Sequence, residues 1–224
     1  MPLKIDLHVH TNYSYDGFTN IDEATARAKQ RGLDGIAITD HDTIEGALNA
    51  LERKTDIIII PGVEINTEKG HIIGLGVTEQ ILPRLTLLET VNEIRRQGGI
   101  VMVPHPYEFF YHGIGPGETR SIKPEAIEVI NSSSLLFSFT KNLNQKLAES
   151  LNAAKVAGSD SHIPETIGNA YTTIHTDSMQ LEAIIQTIKN GGAIPAGTKT
   201  ALGHRLRKIK LQIKRKVEFY YSSN

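Results

Sequence analysis

The chain has no cysteine among its 224 residues. That excludes disulfides, thiolate zinc sites and a cysteine nucleophile, although it says little about compartment. It also lacks any apolar run long enough to cross a bilayer, and no signal peptide precedes Leu3, so the expectation is a cytoplasmic protein with no membrane span. Internal repeats, low-complexity tracts and linkers are missing too, which at this length points to a single domain. Charged residues at 22% and hydrophobic ones at 39% are ordinary globular composition.

A formal net charge of -1 hides an asymmetry. Residues 199–224 hold eight basic residues and one acid, Glu218, which makes them +7 and leaves -8 on residues 1–198. Within that segment Leu202, Leu206, Ile209, Ile213 and Val217 recur at spacings of three and four, the signature of a helical apolar stripe. Arg205, Arg207, Lys208, Lys210, Lys214, Arg215 and Lys216 cover much of the rest. The plainest reading is a helix docked on the body with its basic face in solvent. A surface for RNA or DNA backbone, a membrane-surface helix and a partner contact remain open beside it.

Upstream, short apolar runs alternate with amphipathic segments. Strands are predicted at Ile5–His10, Gly35–Thr39, Ile57–Ile60, His71–Gly76, Ile100–Val103, Ile127–Ile130, Ala154–Ala157 and Tyr171–Ile174. Helices are predicted near Ile21–Arg31, capped by Asn20 or Thr19, after Asp42, and near Leu85–Gln97, Lys141–Leu151 and Ser178–Asn190. Repeating strand-then-helix units imply a mostly parallel sheet with helices outside, and seven or eight such units favour a closed barrel over an open sheet.

Metal-ligand residue types recur where these strands end. The opening "IDLHVHT" puts His8 and His10 on one strand face, with Leu3, Ile5, Leu7 and Val9 opposite. "TDHDT" supplies Asp40, His41 and Asp42, "PGVEIN" Glu64, "KGHIIGLG" His71, "VPHPY" His105, and "AGSDSH" Asp160 and His162. Six of the nine histidines lie in these motifs. In a β/α barrel the C-terminal strand ends converge on one mouth, where active sites sit. Imidazole with carboxylate and no sulfur suits zinc, manganese or iron, and this many ligands suits more than one ion.

Taken in order, "DLHVHT", "YDG", "GLDGIAITDHDT", "PGVEIN", "HIIGLG", "VPHP", "IEVINS" and "GSDSH" resemble the polymerase and histidinol phosphatase (PHP) family from about Pro2 to Thr173. The resemblance implies an α/β fold, a distorted seven-stranded (β/α)7, TIM-like barrel over 1–198, with the basic helix of 199–224 on the same domain. It implies three divalent ions (Mn, Zn or Fe) at the C-terminal strand ends. The first would be held by His8, His10, Glu64 and Asp160. Glu64 would bridge to a second, completed by His71 and His105, and Asp16, His41 and His162 would hold a third. The activity implied is hydrolysis of a phosphoester by a metal-bridging hydroxide, with a phosphorylated small molecule or a nucleotide as substrate. His162 and Asp42 are the candidates for helping the leaving oxygen, while Asp40 or Asp42 can also orient a ligand imidazole or cap the next helix. Tyr107, His112 and Arg120, after His105, are candidates for substrate contact. Family members of the bisphosphate type carry a large helical insert where only 33 residues separate His71 from His105 here. An amidohydrolase-like barrel also uses a first-strand HxH, but no lysine ends an apolar strand where its bridging ligand would fall. A non-catalytic PHP scaffold that binds nucleic acid or a protein partner is the remaining alternative.

Overall fold

A computed structural model describes residues 1–108 and 112–222. Nine strands form one sheet in the order β7-β6-β5-β4-β3-β2-β1-β8-β9. The strands are β1 (Pro2–Val9), β2 (Gly35–Ile38), β3 (Ile58–Thr67), β4 (Gly70–Leu75), β5 (Ile100–Val103), β6 (Ala126–Asn131), β7 (Ala154–Gly158), β8 (Ala170–His175) and β9 (Ala193–Gly197). The helices are α1 (Ile21–Gln30), α2 (Glu45–Glu52), α3 (Leu87–Arg96), α4 (Gly115–Ile122), α5 (Phe137–Leu151), α6 (Leu181–Lys189) and α7 (Leu202–Ser222).

The sheet curls until its ends meet. Val9 and Ser161 form a parallel bridge, and the His10 N–H donates to Ser161 O at 2.9 Å. On the same edge the Ala157 N–H donates to Thr172 Oγ1 at 2.8 Å, tying β7 to β8. The result is the nearly closed, distorted α/β barrel expected. One apolar cluster gathers residues from β1 to β8, among them Leu3, Ile5, Leu7, Ile60, Ile73, Met102 and Val156, with Ile184, Ile185 and Ile188 of α6 packed into it. A second lies under α1, α2, α3 and α5.

Helix starts follow local chemistry. Asn20 caps α1 by accepting from the Glu23 N–H at 2.9 Å while Glu23 accepts from the Asn20 N–H at 3.2 Å. Thr86 and Glu89 repeat the arrangement at α3.

Four expectations need correction. The sheet is not mostly parallel: four of its eight pairings are antiparallel. Only Glu68 and Lys69 lie between β3 and β4, and so short a connection can join strands only as a hairpin. β9 was not predicted; its Pro195 and exposed Ile194 blur a strand pattern, yet it pairs along β8. Val9 leaves the apolar face of Leu3, Ile5 and Leu7 and joins the other cluster, because the β1–β2 register slips between Asp6 and Val9. Asp42 does not cap α2, whose N-cap is Ile44 with no side-chain bond.

The C-terminal helix forms over its predicted span, with residues 223–224 outside the described part. The contact it makes is cationic. His204, Arg205, Lys208, Leu211, Gln212 and Arg215, along one side of the helix, are the less exposed positions. Arg205 donates to the carbonyls of Ser132, Ser133, Ser134 and Thr200. The stripe of Leu202, Leu206, Ile209, Ile213 and Val217 stays 47–70% exposed, with Leu202, Leu206 and Ile209 along the wall of the mouth. No helix among the described residues is long and apolar enough to cross a membrane.

Asp6 is the polar joint of the closure. Its Oδ1 accepts from the Ser159 N–H at 2.8 Å and the His8 N–H at 3.3 Å, and its Oδ2 from the Gly168 N–H at 2.9 Å. Burial pushes its carboxyl up to about 6, against those hydrogen bonds. Asp6→Ala strands the buried N–H groups of Ser159 and His8 and the half-buried one of Gly168, at about 1–3 kcal/mol for each buried group. The expected loss in urea unfolding is about 3 kcal/mol or more, whereas Asp34→Ala, at an exposed bond to the Lys4 N–H, should lose under about 1.

Candidate metal centre

The mouth is built from strand ends and the turns that follow them. β1 delivers His8 and His10, the turn after β2 His41, β3 Glu64, β4 His71, the turn after β5 His105, and the turn after β7 Asp160 and His162. The loop after β1 returns Asp16 over the rim. Asp42, His105 and Asp160 take positive φ of 58°, 32° and 51°, which non-glycine residues rarely adopt and which concentrates at functional turns. Gly158 is needed by close approach: a Cβ there would lie 2.3 Å from the His8 Cβ.

Glu64 sits at the centre and is fully buried. Its Oε2 lies 3.3 Å from His8 Nε2, 3.2 Å from His10 Nε2 and 3.3 Å from His41 Nδ1. Its Oε1 lies 3.0 Å from His71 Nδ1 and 3.4 Å from His105 Nε2. Asp160 Oδ1 is 3.7 Å from His8 Nε2 and 3.5 Å from His10 Nε2. Asp16 Oδ2 is 2.9 Å from His162 Nε2, and its Oδ1 3.8 Å from His41 Nε2. Three groups of donor atoms each converge within 4.8 Å: His8, His10 and Glu64; His41, Glu64 and His71; and His10, Asp16, His41 and His162. All nine anticipated residues therefore meet in one mouth, with His10, His41 and Glu64 each shared between two groups.

Partners behind the imidazoles orient them. Glu128 Oε1 accepts from His8 Nδ1 at 3.0 Å, which turns Nε2 toward Glu64 and Asp160. Asn66 Oδ1 accepts from His71 Nε2 at 2.8 Å, leaving Nδ1 bare. His162 Nδ1 donates to Asp160 O at 3.0 Å, leaving Nε2 bare. His10 Nδ1 pairs with Ser14 Oγ at 3.1 Å. Carboxylates and carbonyls behind ligating imidazoles characterise metal sites.

The arrangement does not satisfy itself. Glu64 Oε1 and His71 Nδ1 face each other at 3.0 Å with no hydrogen bond between them, both acceptors once Asn66 has fixed the tautomer. Asp16 Oδ1, His41 Nδ1 and His105 Nδ1 are likewise buried without a hydrogen-bond partner among the described residues. His8 and His10 bring two Nε2 atoms to 3.1 Å. A tetrahedral ion about 2.1 Å from each ligand needs donors about 3.4 Å apart, close to the spacings around Glu64 Oε2. The donor set fits divalent cations.

Charge follows the same geometry. Burial pushes Glu64 up, but the imidazoles of His71, His8 and His41 outweigh it and hold the carboxyl well below the usual range. Asp160 behaves likewise, burial being overcome by His8, His10, His162 and Lys208. Burial lowers His162, helped by Lys208 and His10, and takes His41 down to about 3, which favours neutral, ligating imidazoles.

The flanking candidates separate. Neither Asp40 nor Asp42 accepts from a ligand imidazole. Asp40 accepts from the Thr11 N–H and hydroxyl at 2.6 and 2.7 Å. Asp42 accepts from the Asn66 N–H and Nδ2 at 2.8 and 2.7 Å, one step behind His71. Of Tyr107, His112 and Arg120, only His112 lines the cleft of about 680 Å³ that opens over the donors. Glu128 was missed, although an acid inside the apolar run "AIEVIN" was a legible signal. Tyr15, stacked on His41 with ring centroids 5.0 Å apart, Ser14 and Asn66 were missed too.

Residues 6–190 match the family described as PHP domain. An uncharacterized protein of Methanocaldococcus jannaschii is 35% identical over 142 residues, covering 58% of this chain and 82% of that one. A protein of Shewanella sp. (strain ANA-3) bearing the name probable phosphatase is 26% identical over 207 residues, covering 75% of this chain and 80% of its own. Among solved structures, a two-domain Bacteroides vulgatus protein described as containing a predicted PHP-like metal-dependent phosphoesterase superposes with TM-score 0.76 at 20% identity. The match covers 88% of this chain, which spans 65% of that longer protein.

Burial pushes the His10 imidazole down, but Asp160 and Glu64 outweigh it and hold it up at about 9 in the metal-free protein. That stabilisation is complete below pH 6.5 and lost as pH climbs through 9. A cation must displace the same proton. Manganese affinity should therefore rise by at least about tenfold per pH unit from neutrality toward pH 9, since His8 and His105 are held up by the same carboxylates. Calorimetry in two buffers of different ionisation heat should show net proton release at pH 7.5; a flat profile with no release would contradict this.

Proposed function

The chain belongs to the PHP domain family, and from that premise we propose that it is a metal-dependent phosphoesterase acting on a phosphomonoester or a nucleotide phosphoester. One observation carries the reading: a fully buried carboxylate, Glu64, has five imidazole nitrogens within 3.4 Å of its two oxygens, yet its Oε1 and the facing Nδ1 atoms of His71 and His41 are left without a hydrogen bond among the described residues.

We assign His8, His10, Glu64 and Asp160 to one ion, Glu64, His71 and His105 to a second, and Asp16, His41 and His162 to a third, with manganese, zinc or iron all compatible with the donors. When bound, such ions supply Lewis acidity toward a phosphoryl group and a water nucleophilic at neutral pH, as in-line attack on phosphorus requires. The chain's own work is to hold donors and substrate. Glu128, Asn66 and the Asp160 carbonyl keep the ligating nitrogens bare and aimed inward. Asp42 acts through Asn66 and is a positioning residue rather than an acid, since both its oxygens are committed. His162, with its proton on Nδ1, is a ligand whose Nε2 faces the cleft beside Asp16. Lys208 of α7 lines the same cleft and its charge is felt by Asp160 and His162, which supports a role in binding a phosphoryl oxygen. His112 and Tyr15 close the walls.

The non-catalytic alternative makes a different demand, since a scaffold has no use for every donor. Phosphate release by manganese-loaded protein should be measured on adenosine 3',5'-bisphosphate, a 5'-phosphorylated oligoribonucleotide, histidinol phosphate and an aryl phosphate. Turnover of at least one is expected. Glu64→Gln and the double substitution His8→Ala with His10→Ala should lose bound metal and at least about 1000-fold in rate together, a barrier increase of about 4 kcal/mol. Full activity in the double variant would show the assignment to be wrong. Lys208→Met should raise KM about tenfold, or 1.4 kcal/mol, with kcat little changed.

A further inference from the structure

Between β1 and α1 the chain makes a tight excursion, Thr11 to Asn20, which sends Ser14, Tyr15 and Asp16 toward the buried donors, Asp16 alone bringing a carboxylate. Its base is pinned by backbone: the Asn12 N–H donates to Thr19 O at 2.8 Å and the Phe18 N–H to His162 O at 2.8 Å. Gly17 has no room for a side chain, because a Cβ there would lie 1.9 Å from Thr11 O. The carbonyls on either side of Asp16 are a separate matter. Tyr15 O and Gly17 O both accept from one residue 200 positions away, Arg215 of α7, at 2.7 Å from Nη1 and 2.6 Å from Nη2. The same guanidinium lies over the Phe18 ring, 3.8 Å from its centroid. A flat, permanently charged fork bridges two carbonyls and stacks on a ring at once; a lysine ammonium is a point charge and cannot do both.

The charge-assisted bonds hold the peptide units that bracket Asp16, and so set where its carboxylate stands against His162 and His41. Every other donor in the mouth comes from a strand or the turn directly after one. Asp16 alone depends on a loop, and that loop is braced by the C-terminal helix. Resting on the metal assignment above, we propose that Arg215 is a positioning residue for the cation assigned to Asp16, His41 and His162, so that the basic helix completes that ion site from outside the barrel.

The full chain is loaded with manganese, passed through a desalting column and assayed for metal content, and binding is followed by the electron paramagnetic resonance of free Mn2+. Arg215→Met keeps an unbranched apolar side chain at this position and removes every donor together with the cation over Phe18. It is expected to bind one ion fewer than the wild type at the same free manganese, or to bind its weakest ion about 10- to 100-fold less tightly, as losing a group behind a ligand does elsewhere. Arg215→Lys should fall between Met and wild type. Asp16→Asn should weaken the same ion, and adding Arg215→Met to it should cost little more, because both act on one site. If Arg215 merely fastens α7, the Met variant will show a lower thermal midpoint without metal but the wild-type count and affinities, and the inference is overturned. Additive effects of the two substitutions overturn it equally. A wild-type protein that takes up no manganese would instead overturn the metal assignment on which it rests.

Discussion

The mouth of this barrel is governed by electrostatic compensation at the floor of its cleft. Glu64 is only 1% exposed there, and an isolated carboxylate in such a setting would be protonated or would destabilise the fold by several kcal/mol. It is instead surrounded by imidazoles from β1, β4 and the turns after β2 and β5, with Asp160 and Asp16 adding further negative charge nearby. Neutral imidazole lone pairs pointed at carboxylate oxygens do not compensate them. Protons can, as at His10, and divalent cations do it better, since one ion satisfies several acceptors at once. The centre is thus selective for positive charge before any substrate is considered.

Much of the surrounding structure follows from keeping those acceptors aimed. Glu128 belongs to β6 and lies in an apolar run, yet it is held there by the His105 N–H at 3.1 Å, Asn131 Nδ2 at 2.9 Å and His8 Nδ1 at 3.0 Å. Asn66 stands between Asp42 and His71 in a chain of three. The barrel's closure serves the same end. Asp6 joins β1 to the turn after β7, Gly158 allows the two to approach, and the approach carries Asp160 to within 3.7 Å of His8. Fold stability and site geometry share these residues, so a change at Asp6 or Gly158 acts on both.

The C-terminal helix is docked by its cations. An amphipathic helix usually buries its apolar stripe, and composition alone supports that expectation. Here the surface on offer is a rim of carbonyls belonging to Ser132, Ser133, Ser134, Tyr15 and Gly17, with Glu165 paired to Arg207. Arginines match that surface and leucines do not. The charge asymmetry between an acidic body and a basic tail is therefore spent in part within one molecule.

What the sequence determined by itself is the inventory and its periodicity. Nine ligand-type residues fall in motifs in or beside strands, in an order that fits one family, and the strand and helix pattern is enough for an α/β barrel. Those signals are local: a two-residue period, a cap, a motif. Local pattern does not carry the partners that lie far apart in the chain. Glu128 meets His8 across 120 positions, Ser159 meets Asp6 across 153 and Arg215 meets Tyr15 across 200. The direction of β4, the slip that sends Val9 to the other cluster, and the face by which α7 docks were likewise decided only in three dimensions. Each depends on which surface is free to receive a segment once the rest has folded, and that surface is assembled from residues the local sequence does not contain.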